Sequence, residues 1–149
     1  MVDVVFNSQR PNVVVVDNFY KAPEEIRALA LQQEFVADKD YHKGKRSKTA
    51  FLFPYVREEF MRLLQAPISN WTAYGTNGVF QYCDASQPMV IHSDAQSYAA
   101  AVYLTPGAPL AAGTWFWRSK ATGLRAAPTL EEAAARGLTP AELEYQTYN

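Results

Sequence analysis

The longest purely apolar signal in the chain is Asn12 to Asp17, NVVVVD. Four consecutive valines are stiff at χ1 and pack well on a pleated surface, so this run predicts a strand. It leads through Asn18-Phe19-Tyr20 into a helical pattern. Pro23 suits the first helical turn, and Glu24 and Glu25 complement the positive end of the helix dipole. Ile26, Leu29, Ala30 and Phe35 form a rough stripe at helical spacing, which predicts a helix to about Phe35 with one packed face. Residues 39–48, KDYHKGKRSK, hold five basic residues against one acid. With Gly44 and no periodicity, they predict a mobile loop or ribbon. A second short helix is expected after Pro54, where Val56, Phe60, Leu63 and Leu64 recur at helical spacing.

From Trp71 the period changes to two. Trp71–Tyr74 and Val79–Tyr82 flank Thr76-Asn77-Gly78, and Asn-Gly is the strongest short hairpin signal because both turn positions need positive φ. Further strands are predicted at Met89–His92, Tyr98–Leu104 and Thr114–Arg118, divided by Pro88, Pro106-Gly107, Pro109 and Gly113. Short strands with closely spaced turns argue for an antiparallel sandwich or barrel. The tail returns to helix: Thr129 to Glu132 is a capping box with Gly137 as its stop, and Thr139-Pro140-Ala141-Glu142 is a second box. The expected fold is therefore mainly β with flanking helices, an α+β class. Helical support is placed at about 18–66, barrel strands at about 69–120 and a helical tail at 129–149.

Composition narrows the picture. The 149 residues fit one domain at the usual ~100–200 each. Apolar residues at 48% and charged residues at 19% exclude a disordered chain. Fourteen basic against fifteen acidic residues leave a net charge of −1, which excludes an overall basic field for gripping nucleic acid. A single cysteine, Cys83, makes no internal disulfide, so a reducing compartment and a cytoplasmic location are expected. No apolar run approaches the ~20 residues of a bilayer span, and the N-terminus lacks a secretory pattern, so no membrane partner is expected. In that compartment the sequon Asn70-Trp71-Thr72 carries little meaning.

The most informative local chemistry is Val90-Ile91-His92-Ser93-Asp94. Residues i and i+2 of a strand share a face, ~6.5–7 Å apart. His92 and Asp94 can then aim an imidazole nitrogen and a carboxylate oxygen at one ion, two-thirds of a 2-His-1-carboxylate triad for non-haem Fe(II). Taken alone, the triplet more often means a packing histidine beside a surface aspartate. The small residues Ala99 and Ala101 on one face of the next expected strand leave room inside a barrel, or else mark a tight corner. Aromatics would wall such a cavity. Trp115 and Trp117 share a face, by default for sheet packing and otherwise as a stacking platform for a base. No thiol-protease signature surrounds Cys83, and there is no Gly-rich phosphate loop or GxSxG elbow.

These segments together resemble a known family. VVVVDNFYKAPEEIRALAL, then Asn77–Tyr82, Ile91–Asp94, Ala101–Pro106 and Gly113–Lys120 are similar in order and spacing to iron(II)/2-oxoglutarate-dependent dioxygenases of the prolyl-4-hydroxylase-like group, in particular to small phage and marine-bacterial members. The likeness covers most of residues 12–125. It implies a double-stranded β-helix, jelly-roll or cupin-like, with His92 and Asp94 as metal ligands and Tyr82 as a hydrogen-bond donor to the cosubstrate. The implied function is hydroxylation of a C–H bond of a small-molecule or peptide substrate, with Fe(II), 2-oxoglutarate and molecular oxygen.

The sequence departs from the family downstream. There a second histidine is the third ligand, and a following Arg or Lys binds the distal carboxylate of 2-oxoglutarate. Here no histidine follows Lys120, and the only other histidine, His42, precedes the HxD. Arg118 and Lys120 carry the charge for that carboxylate, with Arg118 the candidate, but earlier than the family places it; Arg125 and Arg136 are no better placed. The expectation is an enzyme of this family represented by its N-terminal two-thirds, which as it stands binds iron weakly and can be inactive. Lys45 and Arg46, within Lys43–Lys48, are candidate substrate-binding residues of a lid, the alternative being a solvated charged loop. Two other classes compete: a non-catalytic cupin-like binding module that has lost the metal site, and, less favoured, a nucleic-acid module using Lys43–Lys48 and the tryptophans.

Overall fold

The computed structural model describes residues 2–7, 10–37, 44–87, 92, 94, 96–116, 118, 123–125 and 128–138. The chain is an α+β protein that divides into two compact units, Met1–Pro88 with Val102–Leu104, and Met89–Ala101 with Thr105–Asn149. No helix among the described residues is long and apolar enough to cross a membrane.

In the first unit the valine run forms its strand but acquires an unforeseen partner. β1 (Val2–Asn7) pairs antiparallel with β2 (Arg10–Val16). The register slips between Val5 and Phe6, so that Asn12 bulges from β2. Asn18 then takes φ 55, a left-handed turn that asparagine tolerates better than most residues. α1 (Pro23–Leu31) opens on Pro23 with Glu24 and Glu25 in its first turn, as expected.

The helix ends four residues before Phe35. The Gln33 side chain reaches back to donate to the Leu29 carbonyl at 2.9 Å, satisfying one of the acceptors a helix end leaves open. Phe35 instead begins β3 (Phe35–Ala37), the edge of a three-stranded antiparallel sheet in the order β3-β4-β5. The centre of that sheet is β4 (Lys45–Ala50), so Lys45–Lys48 form a paired strand and not a loop; residues 38–43 lie outside the described residues. Pairing on both sides holds a strand whose composition alone would not form one. Phe35, Val36 and Ala37 pair with Ser47, Arg46 and Lys45, and the Lys48 N–H donates to the Glu34 carbonyl at 3.1 Å. The Lys48 ammonium and Glu34 carboxylate close at 2.5 Å.

On its other side β4 pairs with β5 (Val79–Tyr82) through a bulge. Lys45 and Arg46 oppose Tyr82 and Gln81, but Ala50 opposes Val79, so Ser47, Lys48 and Thr49 face Phe80 alone. The buried Ser47 hydroxyl repairs the ladder there: it accepts from the Phe80 N–H at 3.0 Å and donates to the Thr49 carbonyl at 2.7 Å. Ser47→Ala is expected to destabilise the chain by about 2 kcal/mol, because two part-buried backbone groups lose their partner. A urea titration reads this as a lower midpoint at unchanged m-value.

α2 (Pro54–Leu64) follows Pro54 as expected and ends in a left-handed Gln65, φ 49. Rings rather than aliphatic side chains hold the unit together. Phe19 stacks on Phe60 at 5.1 Å and Phe60 meets Trp71 edge-on at 6.4 Å. A second series runs Tyr55–Phe53–Phe51–Phe80, with centroids 5.1 to 6.0 Å apart. Each such pair is worth about 0.5–1.5 kcal/mol beyond area burial. Burial first, then the electrostatic influence of Tyr55, pushes the Tyr20 hydroxyl pKa up. Among the described residues the buried apolar side chains are Ala30, Val56 and Ala133, none larger than valine.

A turn forms at residues 75–78, but it is neither the expected Asn-Gly hairpin turn nor flanked by the expected strands, since Asn77 does not take positive φ and its N–H donates to the Tyr74 carbonyl. Gly78 has φ 71, yet Trp71–Tyr74 are not a strand. The Asn77 amide donates to the Asn70 and Trp71 carbonyls at 3.0 and 2.9 Å, taking acceptors that a strand would use in a ladder.

In the second unit, the described residues of the strands expected at Tyr98–Leu104 and Thr114–Arg118 are not strands (the three residues Val102–Leu104 group with the first unit). Ala99-Ala100-Ala101 offers little of the β-branched or aromatic bulk that fits a pleated surface. Within 69–120 the described residues hold one strand, β5. A 3₁₀ turn covers Leu110–Ala112 after Pro109.

α3 (Leu130–Ala135) carries the expected capping box: Thr129 accepts from the Glu132 N–H at 3.1 Å, and Glu132 accepts from the Thr129 N–H at 2.9 Å. Gly137 follows with φ 66. The second box, at Thr139–Glu142, lies outside the described residues. The Thr129 backbone N–H, then the Thr129 hydroxyl, then Arg136 hold the Glu132 carboxyl below its ordinary value. A depressed folded value stabilises the box above the unfolded carboxyl pKa of about 4.3 and is lost as pH falls through the folded value. The helix signal from α3 is expected to fade on acidification below that point, and Glu132→Gln, which leaves no carboxyl to titrate, should remove the pH dependence. Circular dichroism against pH checks both.

Candidate metal centre

His92 and Asp94 are described individually, while Met89–Ile91 and Ser93 lie outside the described residues. Neither His92 nor Asp94 is in a strand, so strand alternation is not what brings them together. They nevertheless converge: His92 Nε2 lies 3.5 Å from Asp94 Oδ1, with side chains 63% and 50% exposed.

That separation tests the fit to a metal. Two donors each about 2.1 Å from one ion are about 3.0 Å apart at a right angle and about 3.4 Å apart at the tetrahedral angle. The observed 3.5 Å is a tetrahedral edge and lies about 0.5 Å beyond the octahedral one. An imidazole and a carboxylate are also suitable donors for a borderline divalent ion. As it stands the pair is an imidazole–carboxylate contact; a tetrahedral ion fits its spacing, and an octahedral ion such as Fe(II) needs the two exposed groups about 0.5 Å closer. The described residues hold no group of three or more His, Cys, Asp or Glu that could complete a protein-only set. With two protein donors, the other coordination positions fall to solvent or small ligands, and affinity is correspondingly low.

The remaining candidates fall on different elements. Tyr82 ends β5, half exposed, with its ring 6.3 Å from Phe35. Lys45 is its cross-strand partner and is exposed. The Lys45 ammonium also helps, behind two hydrogen bonds from Ser86, to hold the Asp84 carboxyl below its ordinary value. Arg46 is half-buried; its Nε donates to Gln81 Oε1 at 3.4 Å, while its Nη1 is buried without a hydrogen-bond partner. Arg118 is exposed and outside any strand. Lys45, Arg46 and Tyr82 belong to the first unit, and His92, Asp94 and Arg118 to the second.

Lys45 and Arg46 lie in the central strand of the sheet and not in a loop. Sequence reasoning also missed Ser47, whose hydroxyl sets the bulge beside Arg46. A small hydroxyl residue among long basic ones was the available signal. His42 and Trp117 lie outside the described residues. Comparisons with protein-family models, with curated proteins and with solved structures found no match to the chain.

Proposed function

We propose that the chain is an Fe(II)/2-oxoglutarate-dependent oxygenase acting on a C–H bond, built on a double-stranded β-helix. The observation that supports this reading is the 3.5 Å convergence of His92 Nε2 and Asp94 Oδ1. Bound there, the iron would supply the oxidising chemistry, using 2-oxoglutarate and oxygen to hydroxylate substrate. His92 and Asp94 would hold the ion through an imidazole nitrogen and a carboxylate oxygen. Arg118, in the same unit as His92 and Asp94, would pair its guanidinium with a carboxylate through two parallel N–H bonds. Lys45 and Arg46 present positive charge from the central strand of the first unit, where an anionic group could be held.

The experiment is an incubation of the chain with 2-oxoglutarate, with and without added Fe(II). Succinate appearing only with Fe(II) is the expected result, at a low rate because no third protein ligand is found among the described residues. A second reading, a cupin-like binding module without catalysis, is favoured by the exposure of both ligands. Absence of both metal binding and succinate would leave that module.

A further inference from the structure

We propose that Asn77-Gly78 is a chemical modification site, a deamidation switch whose access is controlled by the loop of residues 70–78. An asparagine followed by glycine is the most exposed pairing to this reaction, because the attacking backbone nitrogen carries no neighbouring side chain to hinder it. In the folded chain both sides of the reacting bond are pinned. The half-buried Asn77 amide donates to the Asn70 carbonyl at 3.0 Å and to the Trp71 carbonyl at 2.9 Å. The Asn77 N–H donates to the Tyr74 carbonyl at 3.0 Å, and the Gly78 carbonyl accepts from the Phe51 N–H at 2.7 Å. The Gly78 Cα packs so closely on the Phe51 backbone that an added Cβ would lie 2.7 Å from the carbonyl oxygen.

Reaction needs these contacts broken. The Gly78 nitrogen attacks Asn77 Cγ, a C–N bond forms, and the Cγ–Nδ2 bond breaks. Ammonia leaves with the proton from the Gly78 N–H. Water then opens the five-membered imide at either carbonyl, giving aspartate or an isoaspartyl link, with no change of oxidation state. The product cannot reclose the loop. A carboxylate has no donor for the Asn70 and Trp71 carbonyls and would set negative charge against two oxygens. An isoaspartyl link adds a backbone carbon directly before β5 and shifts its register against Phe51. Loop opening is thereby recorded irreversibly, and each event weakens the start of the β4–β5 pairing.

The test uses the intact chain, incubated at one pH and temperature in native buffer and in urea above the unfolding midpoint. Conversion at Asn77 is followed by peptide mapping with detection of isoaspartate. Conversion at least about tenfold slower in the native sample is expected, as for a site protected by local structure. Equal rates in the two samples would overturn the proposal. Asn77→Asp provides the second arm: a lower melting temperature and faster proteolytic cutting within 70–78 are expected, and wild-type behaviour in both would refute the one-way consequence. Should that variant not fold, the wild-type comparison still decides the matter.

Discussion

Replacing His92 with alanine is expected to weaken Fe(II) binding by about 100-fold or more. Loss of a residue that merely orients a ligand costs about 10–100-fold in metal affinity, and here one of two protein donors is itself removed. Asp94→Ala should lose at least as much, because it removes both a donor oxygen and the only charge that the pair brings to the ion. Neither change should disturb folding. Both side chains are more than a third exposed, and substitutions at such positions shift stability by about 0.5 kcal/mol or less. Anaerobic titration calorimetry separates the two effects, since the melting temperature is read on the same samples. Wild-type affinity in both variants would remove these residues from any metal site.

Gly78→Ala is expected to destabilise the chain by about 3 kcal/mol. A non-glycine residue at φ 71 costs about 1–2 kcal/mol. The new Cβ would also stand 2.7 Å from the Phe51 carbonyl oxygen and 2.9 Å from its carbon. These are backbone atoms, so the strands must part, and the 2.7 Å bond from the Phe51 N–H to the Gly78 carbonyl weakens by about another 1 kcal/mol. Gly107→Ala is the control. Gly107 has φ 60 but nothing within 4 Å of an added Cβ, so only the conformational cost, about 1–2 kcal/mol, applies. Chemical denaturation of both variants measures the difference, and equal losses would show that the Phe51 contact carries no energy.

Elements with strong local signals were legible in the sequence. Pro23 with Glu24 and Glu25, Pro54, and Thr129 with Glu132 each mark a helix start through chemistry confined to a few residues. The valine run was legible for the same reason. β4 was not, because Lys45-Arg46-Ser47-Lys48 forms a strand through partners on both sides, and a window along the chain does not contain those partners. Asn77-Gly78 marks a turn region, but not the hairpin turn or its strands, since only Gly78 takes positive φ, the Asn77 side chain bonds the preceding loop, and β5 pairs with β4. The helix after Pro23 was extended too far because Phe35 fits a helical stripe and the Gln33 side-chain cap leaves no periodic trace.

The candidate site was legible as a pair of residues and not as a mechanism of placement. Strand alternation in the sequence points to His92 and Asp94, yet they meet outside any strand. A two-residue spacing brings the two groups within reach in more than one local conformation. The sequence marks Arg46 by charge alone, and gives no sign that it lies in a central strand with a buried, unpartnered Nη1.

The most direct measurement is an anaerobic titration of the chain with Fe(II) and then 2-oxoglutarate, followed through the visible charge-transfer band of the ternary complex. The band is expected in the wild-type chain and expected to vanish in His92→Ala and in Asp94→Ala. A band of undiminished strength in those variants, or none in the wild type at saturating metal, would contradict a metal centre built on His92 and Asp94.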